Sequence, residues 1–268
     1  MRRFFRWTVI LLFFVLTIIP FGWLILSAFK TNPELFSNPF GPPGHFSFDN
    51  FTSAMAAHPL YIYFRNSILA ATLSTLLAIV ASTLASYALL HRFRLSRAAF
   101  GFLMFGLFVP VNAFMAPIFF IIHYIGLYNT VWALVLVYAG IMFPTCFLII
   151  KTYMDTIPNE LVEAASIDGA SYHQVFLRLI VPLCMPGIVT AAIFLMISAW
   201  NELLFASLLT QDESAQTVQV AIRYFLTTYS ANYPQAFAGT VMTIIPTIVA
   251  YILLSDRVIE GMTAGALK

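Results

Sequence analysis

The run TVILLFFVLTIIPFGWLILSAF, residues 8–29, carries no charge, and runs of similar character recur along the chain. An apolar stretch of roughly 18 residues or more can cross about 30 Å of hydrocarbon as a helix. A chain with several of them has little freedom in what it can fold into. Composition agrees: 61% of the residues are hydrophobic, 9% are charged and mean hydropathy is +0.89. Soluble domains carry about 45–50% apolar and about 25% charged residues. The chain is therefore read as an all-α polytopic membrane protein with six transmembrane helices, near residues 8–28, 64–90, 99–123, 129–150, 184–210 and 236–256. The first run is longer than a signal h-region and has no A-x-A cleavage site, so it is read as a retained helix.

Net charge is only +2, which does not suggest nucleic acid as a partner; the placement of the basic residues says more. With these six spans, Arg2, Arg3, Arg6, Arg92, Arg94, Arg97, Lys151, Arg178, Arg257 and Lys268 fall on one side. Only Lys30, Arg65 and Arg223 fall on the other. Basic residues concentrate in cytoplasmic loops, so both termini and the segment between the fourth and fifth spans are expected to be cytoplasmic.

Three parts are expected: a helix with an external loop over 1–60, a five-helix core over 61–257, and a cytoplasmic tail over 258–268. The external segment 29–62 includes NPFGPPGHFSFDN, whose Pro, Gly and Asn content predicts turns, not a buried element. In the second span Ala70, Ser74, Ala78, Ser82 and Ser86 form a small-residue stripe that lets helices approach closely. That stripe suits packing within this chain or against another. Pro110, Pro117, Pro144 and Pro246 lie inside the expected spans and predict kinks there.

Several chemistries are absent from the sequence. No G-x-x-x-x-G-K-[ST], H-E-x-x-H or G-x-S-x-G occurs, the five His residues share no ligand spacing, and no catalytic or metal site is predicted. Cys146 and Cys184 sit near the expected cytoplasmic ends of their spans, where a disulfide is not expected.

Between the fourth and fifth spans lies a charged, glycine-broken segment, 156–182. TIPNELVEAASID predicts a short helix, with Pro158 suited to its first turn and Glu160 and Glu163 near its positive end. Gly169 predicts its stop. Ser171 and Gln174 form a capping box that opens a second helix, and Pro182 and Pro186 mark the approach to the next span. The bland alternative is a solvated amphipathic connector on the membrane surface.

The spacing of Glu163, Ala164, Ala165, Gly169, Leu179, Val181 and Pro182 resembles the EAA motif of ABC-importer permeases. IIPFGWLILSAFKTNPELF, SAWNELLFASLLT and the tail IEGMTAGALK narrow the resemblance to carbohydrate permeases, and to the shorter partner of the maltose-type pair. The resemblance covers essentially the whole chain and implies the type I ABC importer permease fold. It implies a coupling segment, including Glu163, Ala164, Ala165, Asp168, Gly169 and Pro182, that docks on a separate ATPase dimer. ATP and Mg would be bound by that ATPase, with no cofactor in this chain. A second homologous permease subunit, an extracellular or periplasmic substrate-binding protein and membrane lipid are the other implied partners. The implied location is the bacterial cytoplasmic membrane, and the stretch 211–235 corresponds to the family loop that probes the binding protein.

The expected function is one half of the translocation channel of a sugar or oligosaccharide importer. An importer for a non-sugar solute, or a stand-alone secondary transporter or channel, is the alternative. A membrane-embedded enzyme would need a convergent polar cluster, which the sequence does not offer. Trp200, Asn201 and Glu202 are the pathway candidates, with Asn112 a further one. An intramembrane carboxylate is costly unless paired or wet, and an aromatic beside an amide suits a sugar. The same residues would equally serve as a buried polar lock between helices.

Overall fold

The computed structural model describes residues 2–57, 59–90, 94–227, 232–245 and 248. Among them the fold is all-helical, with no strand. The chain divides into one unit of 1–61 with 220–249 and another of 62–219 with 250–268.

In the first unit, α1 (Arg2–Ser27) is exposed over most of its length, with Pro20 inside it. Thr8 and Thr17 donate their hydroxyls to the carbonyls of Phe4 and Phe13, so neither is left unpaired in an apolar setting. Two further helices follow, α2 (Asn32–Ser37) and α3 (Asp49–Ala57). Thr31 and Glu34 close a capping box at the start of α2. The Thr31 backbone N–H, donating to the carboxylate, holds Glu34 below the usual carboxylate range.

Here segment 29–62 departs from the expectation of turns alone. Lys30 is 1% exposed and its ammonium donates to the carbonyls of Asn38 and Pro39 at 2.9 Å each. The Trp23 indole N–H shares the Pro39 carbonyl, and the Asn50 amide donates to those of Ala28 and Lys30. A cation enclosed by carbonyl dipoles organises a loop whose composition reads only as irregular. Residues 233–245 are helical, and Ala238 and Val241 pack with Ala28.

The second unit is built around α4 (Leu60–Ala88), α7 (Val131–Met154) and α11 (Met185–Trp200). Thr130 caps α7 through its hydroxyl to the Ala133 N–H, and Pro144 lies within the helix. The small-residue stripe of α4 is wholly buried in this chain, from Ala70 at 1% to Ser86 at 0%. Ser82 donates to the Phe143 carbonyl of α7. Packing inside the chain is thus the reading that holds.

Among the described residues three helices are long and apolar enough to cross a membrane alone: Phe4–Ser27, Leu60–Ala88 and Val131–Met154. A fourth span exists if Tyr172–Leu183 and Met185–Trp200, bent by 69°, act as one. Six uninterrupted spans are therefore not what the described residues show. The expected third span is split into α5 (Ser96–Phe105), a 3-10 turn (Val111–Phe114) and α6 (Met115–Tyr124). Pro110 does not kink a helix; with ψ at 121° it stands outside one, as the cap of the 3-10 turn. Pro117 occupies the first turn of α6, where its missing N–H costs nothing. The expected fifth span likewise ends at Trp200 and resumes as α12 (Leu204–Leu209). Pro246, most of the second half of the sixth span and the tail 258–268 lie outside the described residues.

Beyond α12, the segment leading to α13 (Val218–Thr227) is pinned. Asn66 donates to the carbonyls of Ser214 and Gln216, and the Ser67 hydroxyl accepts from the Val218 N–H. Asn129, at φ 62°, accepts the N–H groups of Gln211 and Asp212 on its side-chain oxygen.

Candidate functional site

The segment 156–182 folds as a helix, a glycine turn and a second helix. α8 (Asn159–Ile167) starts after Pro158, with Glu160 in its first turn, and ends at Asp168. Gly169 has φ +81°, the left-handed region that follows many helices. Ser171 and Gln174 form the expected capping box in both directions, opening α9 (Tyr172–Val175).

α8 buries none of its residues. Glu163, Ala164, Asp168 and Gly169 are exposed and Ala165 is half-buried; Pro182, in the first turn of α10 (Val181–Leu183), is exposed as well. Ile167 is 86% exposed at the end of α8. A helix with no buried residue, ending in an open isoleucine beside Asp168, has the makings of a protein contact.

What holds α8 in place lies beyond the glycine. Tyr87, 2% exposed near the end of α4, donates its hydroxyl to the Tyr172 carbonyl at 3.0 Å and packs on the rings of Tyr172 and Phe176. The helix then widens into a π turn over Phe176–Ile180, a feature hydropathy does not encode. Such turns are often found at functional positions. After α10 the chain bends at Cys184 into α11. There Gly187 lies against Tyr153 of α7, where a β-carbon would stand 2.5 Å from the ring root.

At the far end of α11 the pathway candidates part company. Glu202 is not deep in a span, as expected, but in the break after α11. The break suits it, because Phe205 and Ala206 there present free N–H groups at the start of α12, which its two carboxylate oxygens accept at 2.9 and 3.0 Å. It also accepts the hydroxyl of buried Tyr138, on α7, at 2.8 Å. Glu202 is thereby fully engaged. Tyr138 escaped the sequence reading, although a tyrosine inside an apolar helix needs a polar partner and was the available signal.

Trp200 packs against Phe64, and its indole N–H is buried without a partner among the described residues. Asn201 is exposed; its amide donates to the Ile197 carbonyl and its oxygen accepts from Gln219 at 3.4 Å. Asn112 is exposed on the 3-10 turn.

The family model for the binding-protein-dependent transport system inner membrane component matches residues 74–255. The sulfoquinovosyl glycerol transport system permease protein of Agrobacterium fabrum is 32% identical over 255 residues, covering 93% of this chain and 88% of the relative. The trehalose/maltose transport system permease protein of Thermococcus litoralis is 31% identical over 264 residues, covering 95% and 92%. Among solved structures, a bacterial ABC transporter involved in the import of the acidic polysaccharide alginate superposes with a TM-score of 0.84. That match has 20% identity and covers 95% of this chain and 96% of the other. A second structure of a bacterial alginate ABC transporter, in complex with a pentasaccharide-bound periplasmic protein, gives 0.69 at 17% identity over 96% of each chain. Helical architecture, an EAA segment with its glycine turn in place, and a match over most of the length agree: the chain belongs to the family of inner-membrane permease components of binding-protein-dependent transport systems.

Proposed function

We propose that this chain is one half of the translocation channel of an ATP-driven importer for a sugar or oligosaccharide, driven by a separate ATPase dimer. The observation that carries the reading is α8: a helix with no buried residue, held by Gly169 and the Tyr87–Tyr172 contact, offering Glu163, Ala164, Ile167 and Asp168 to a partner. The sugar cargo is supported by the relatives' names, which include trehalose/maltose and diacetylchitobiose systems. ATP and Mg belong to the ATPase subunit. A second permease completes the channel, and a substrate-binding protein delivers the solute at the face opposite α8, with both termini on the α8 side, in the cytoplasm.

Within the pathway, Trp200 and Asn201 face the solute, the half-buried ring offering an apolar face and the exposed amide a hydroxyl partner. Glu202 orients them through α12 and Tyr138. The test is assembly and coupling. A tagged copy of this chain should co-purify with an ATPase and a second permease. Breaking a charge-assisted contact in a partly buried groove costs roughly 2–5 kcal/mol. Glu163→Lys should therefore lower stimulated ATPase activity, and a reciprocal charge exchange on the ATPase should restore part of it. Retention of full activity by Glu163→Lys would leave α8 a solvated connector. The cargo bound by the cognate binding protein decides between a sugar and another solute.

A further inference from the structure

A groove of about 330 Å³ opens between the starts of α4 and α7, at the end of these helices opposite the coupling segment. Arg65, Leu69 and Leu73 line it from α4, at i, i+4 and i+8 on one face, and Trp132 and Val135 line it from α7. The groove is apolar below and cationic at its mouth.

Depth follows from helix length. The 29 residues of α4 span about 43 Å, roughly 13 Å more than a hydrocarbon core. Shared between both ends, that excess puts Arg65, about 8 Å from the helix start, at the edge of the hydrocarbon. Leu69 and Leu73 then lie about 6 and 12 Å deeper. Trp132, 60% exposed in the first turn of α7, suits the interfacial zone that indoles favour.

The guanidinium at the mouth is exposed. No carboxylate among the described residues lies within ion-pair range; its partner is the neutral Asn66 oxygen at 3.3 Å. Asn66 is itself fixed by its two donations to the Ser214 and Gln216 carbonyls, so the guanidinium is anchored over the groove. A cation held at headgroup height above an apolar wall asks for an anion with a hydrocarbon tail.

We propose that this groove is a binding site for an anionic phospholipid, its phosphate on Arg65 and an acyl chain along Leu69, Leu73 and Val135, with Trp132 at the boundary between them. A photo-crosslinking residue in place of Leu73, in the assembled complex reconstituted in mixed phosphatidylcholine and phosphatidylglycerol bilayers, tests it. Phosphatidylglycerol should be captured in preference to phosphatidylcholine. One basic residue near a membrane surface contributes enough that Arg65→Gln should reduce that preference about five-fold, while Arg65→Lys keeps most of it. Equal capture of the two lipids, an unchanged preference in Arg65→Gln, or cross-linking to a second protein chain would overturn the assignment. Loss of capture on adding glycerol phosphate would overturn it too, in favour of a soluble anion. If Arg65→Gln fails to assemble, the captured species in the otherwise unaltered complex decides alone.

Discussion

Replacing Glu202 separates a structural lock from a solute-binding group, and its cost can be worked from its partners. Glu202→Ala removes acceptors from three donors: the Tyr138 hydroxyl and the N–H groups of Phe205 and Ala206. Loss of a helix cap costs about 0.5–2 kcal/mol. A buried hydroxyl left without a partner costs about 1–3 kcal/mol, and Tyr138 is 0% exposed. Together the change should destabilise the protein by roughly 2–5 kcal/mol. Glu202→Gln keeps one oxygen, enough for Tyr138 and Ala206, but turns its NH2 toward the Phe205 N–H and loses the charge assistance, about 1–3 kcal/mol. Thermal unfolding of the purified complex should rank wild type above Gln and Gln above Ala. In a Tyr138→Phe background the hydroxyl is gone, so the cost of Glu202→Ala should shrink by about 1–3 kcal/mol. A Glu202→Ala complex as stable as wild type, or costs that simply add in the double variant, would refute the lock.

Two glycines should fail for different reasons. Gly187→Ala drives a β-carbon to 2.5 Å from the Tyr153 ring root, so overpacking of about 1–3 kcal/mol should lower complex yield and unfolding temperature, and a smaller side chain at Tyr153 should recover both. At Gly169 nothing lies within 4 Å of a β-carbon, so the penalty is one of backbone alone. Gly169→Val should cost about 1–2 kcal/mol or more and weaken ATPase association, whereas Gly169→Asn, which tolerates positive φ, should bind nearly normally in a pull-down.

The helix–turn–helix of 156–182 was legible because its signals are local. A proline before a helix, a glycine after it and a Ser-x-x-Gln box act within a few residues, and each does here what its chemistry dictates. The stripe from Ala70 to Ser86 was legible for a similar reason, since small residues at fourfold spacing leave a face only another helix can fill. Continuity of the spans was not, because hydropathy measures whether a residue tolerates lipid, not whether its backbone continues a helix. Residues 106–110 are apolar enough to pass as part of a span, and Asn201 and Glu202 are flanked by apolar runs on both sides, yet both stretches sit in breaks. Glu202 was singled out correctly as a residue needing partners, but those partners come from a break it caps and a tyrosine on α7. Lys30 was counted as a charge outside the membrane, although carbonyls brought round by the loop enclose it.

The same residues argue for why a permease of this kind keeps a rigid centre and an irregular link. α7 meets the start of α11 through Tyr153, against Gly187, and the break after α11 through Tyr138, against Glu202. Both contacts involve the two ends of α11, so a displacement of α11 along its axis must strain one or both. The link from α8 to α11 is built otherwise, from a glycine in the left-handed region, a π turn and a 69° bend. Each departs from regular α-helical geometry, and Ile180 and Cys184 anchor the link in the core. Were α8 to be displaced by a docked partner, as proposed, the displacement would reach α11 through this irregular link and would be resisted at α7 by contacts that fit closely. Gly187→Ala disturbs the first of those contacts and Glu202→Gln the second. If α11 moves as one body, either change should alter the ratio of ATP hydrolysed to solute transported, even in complexes that assemble fully.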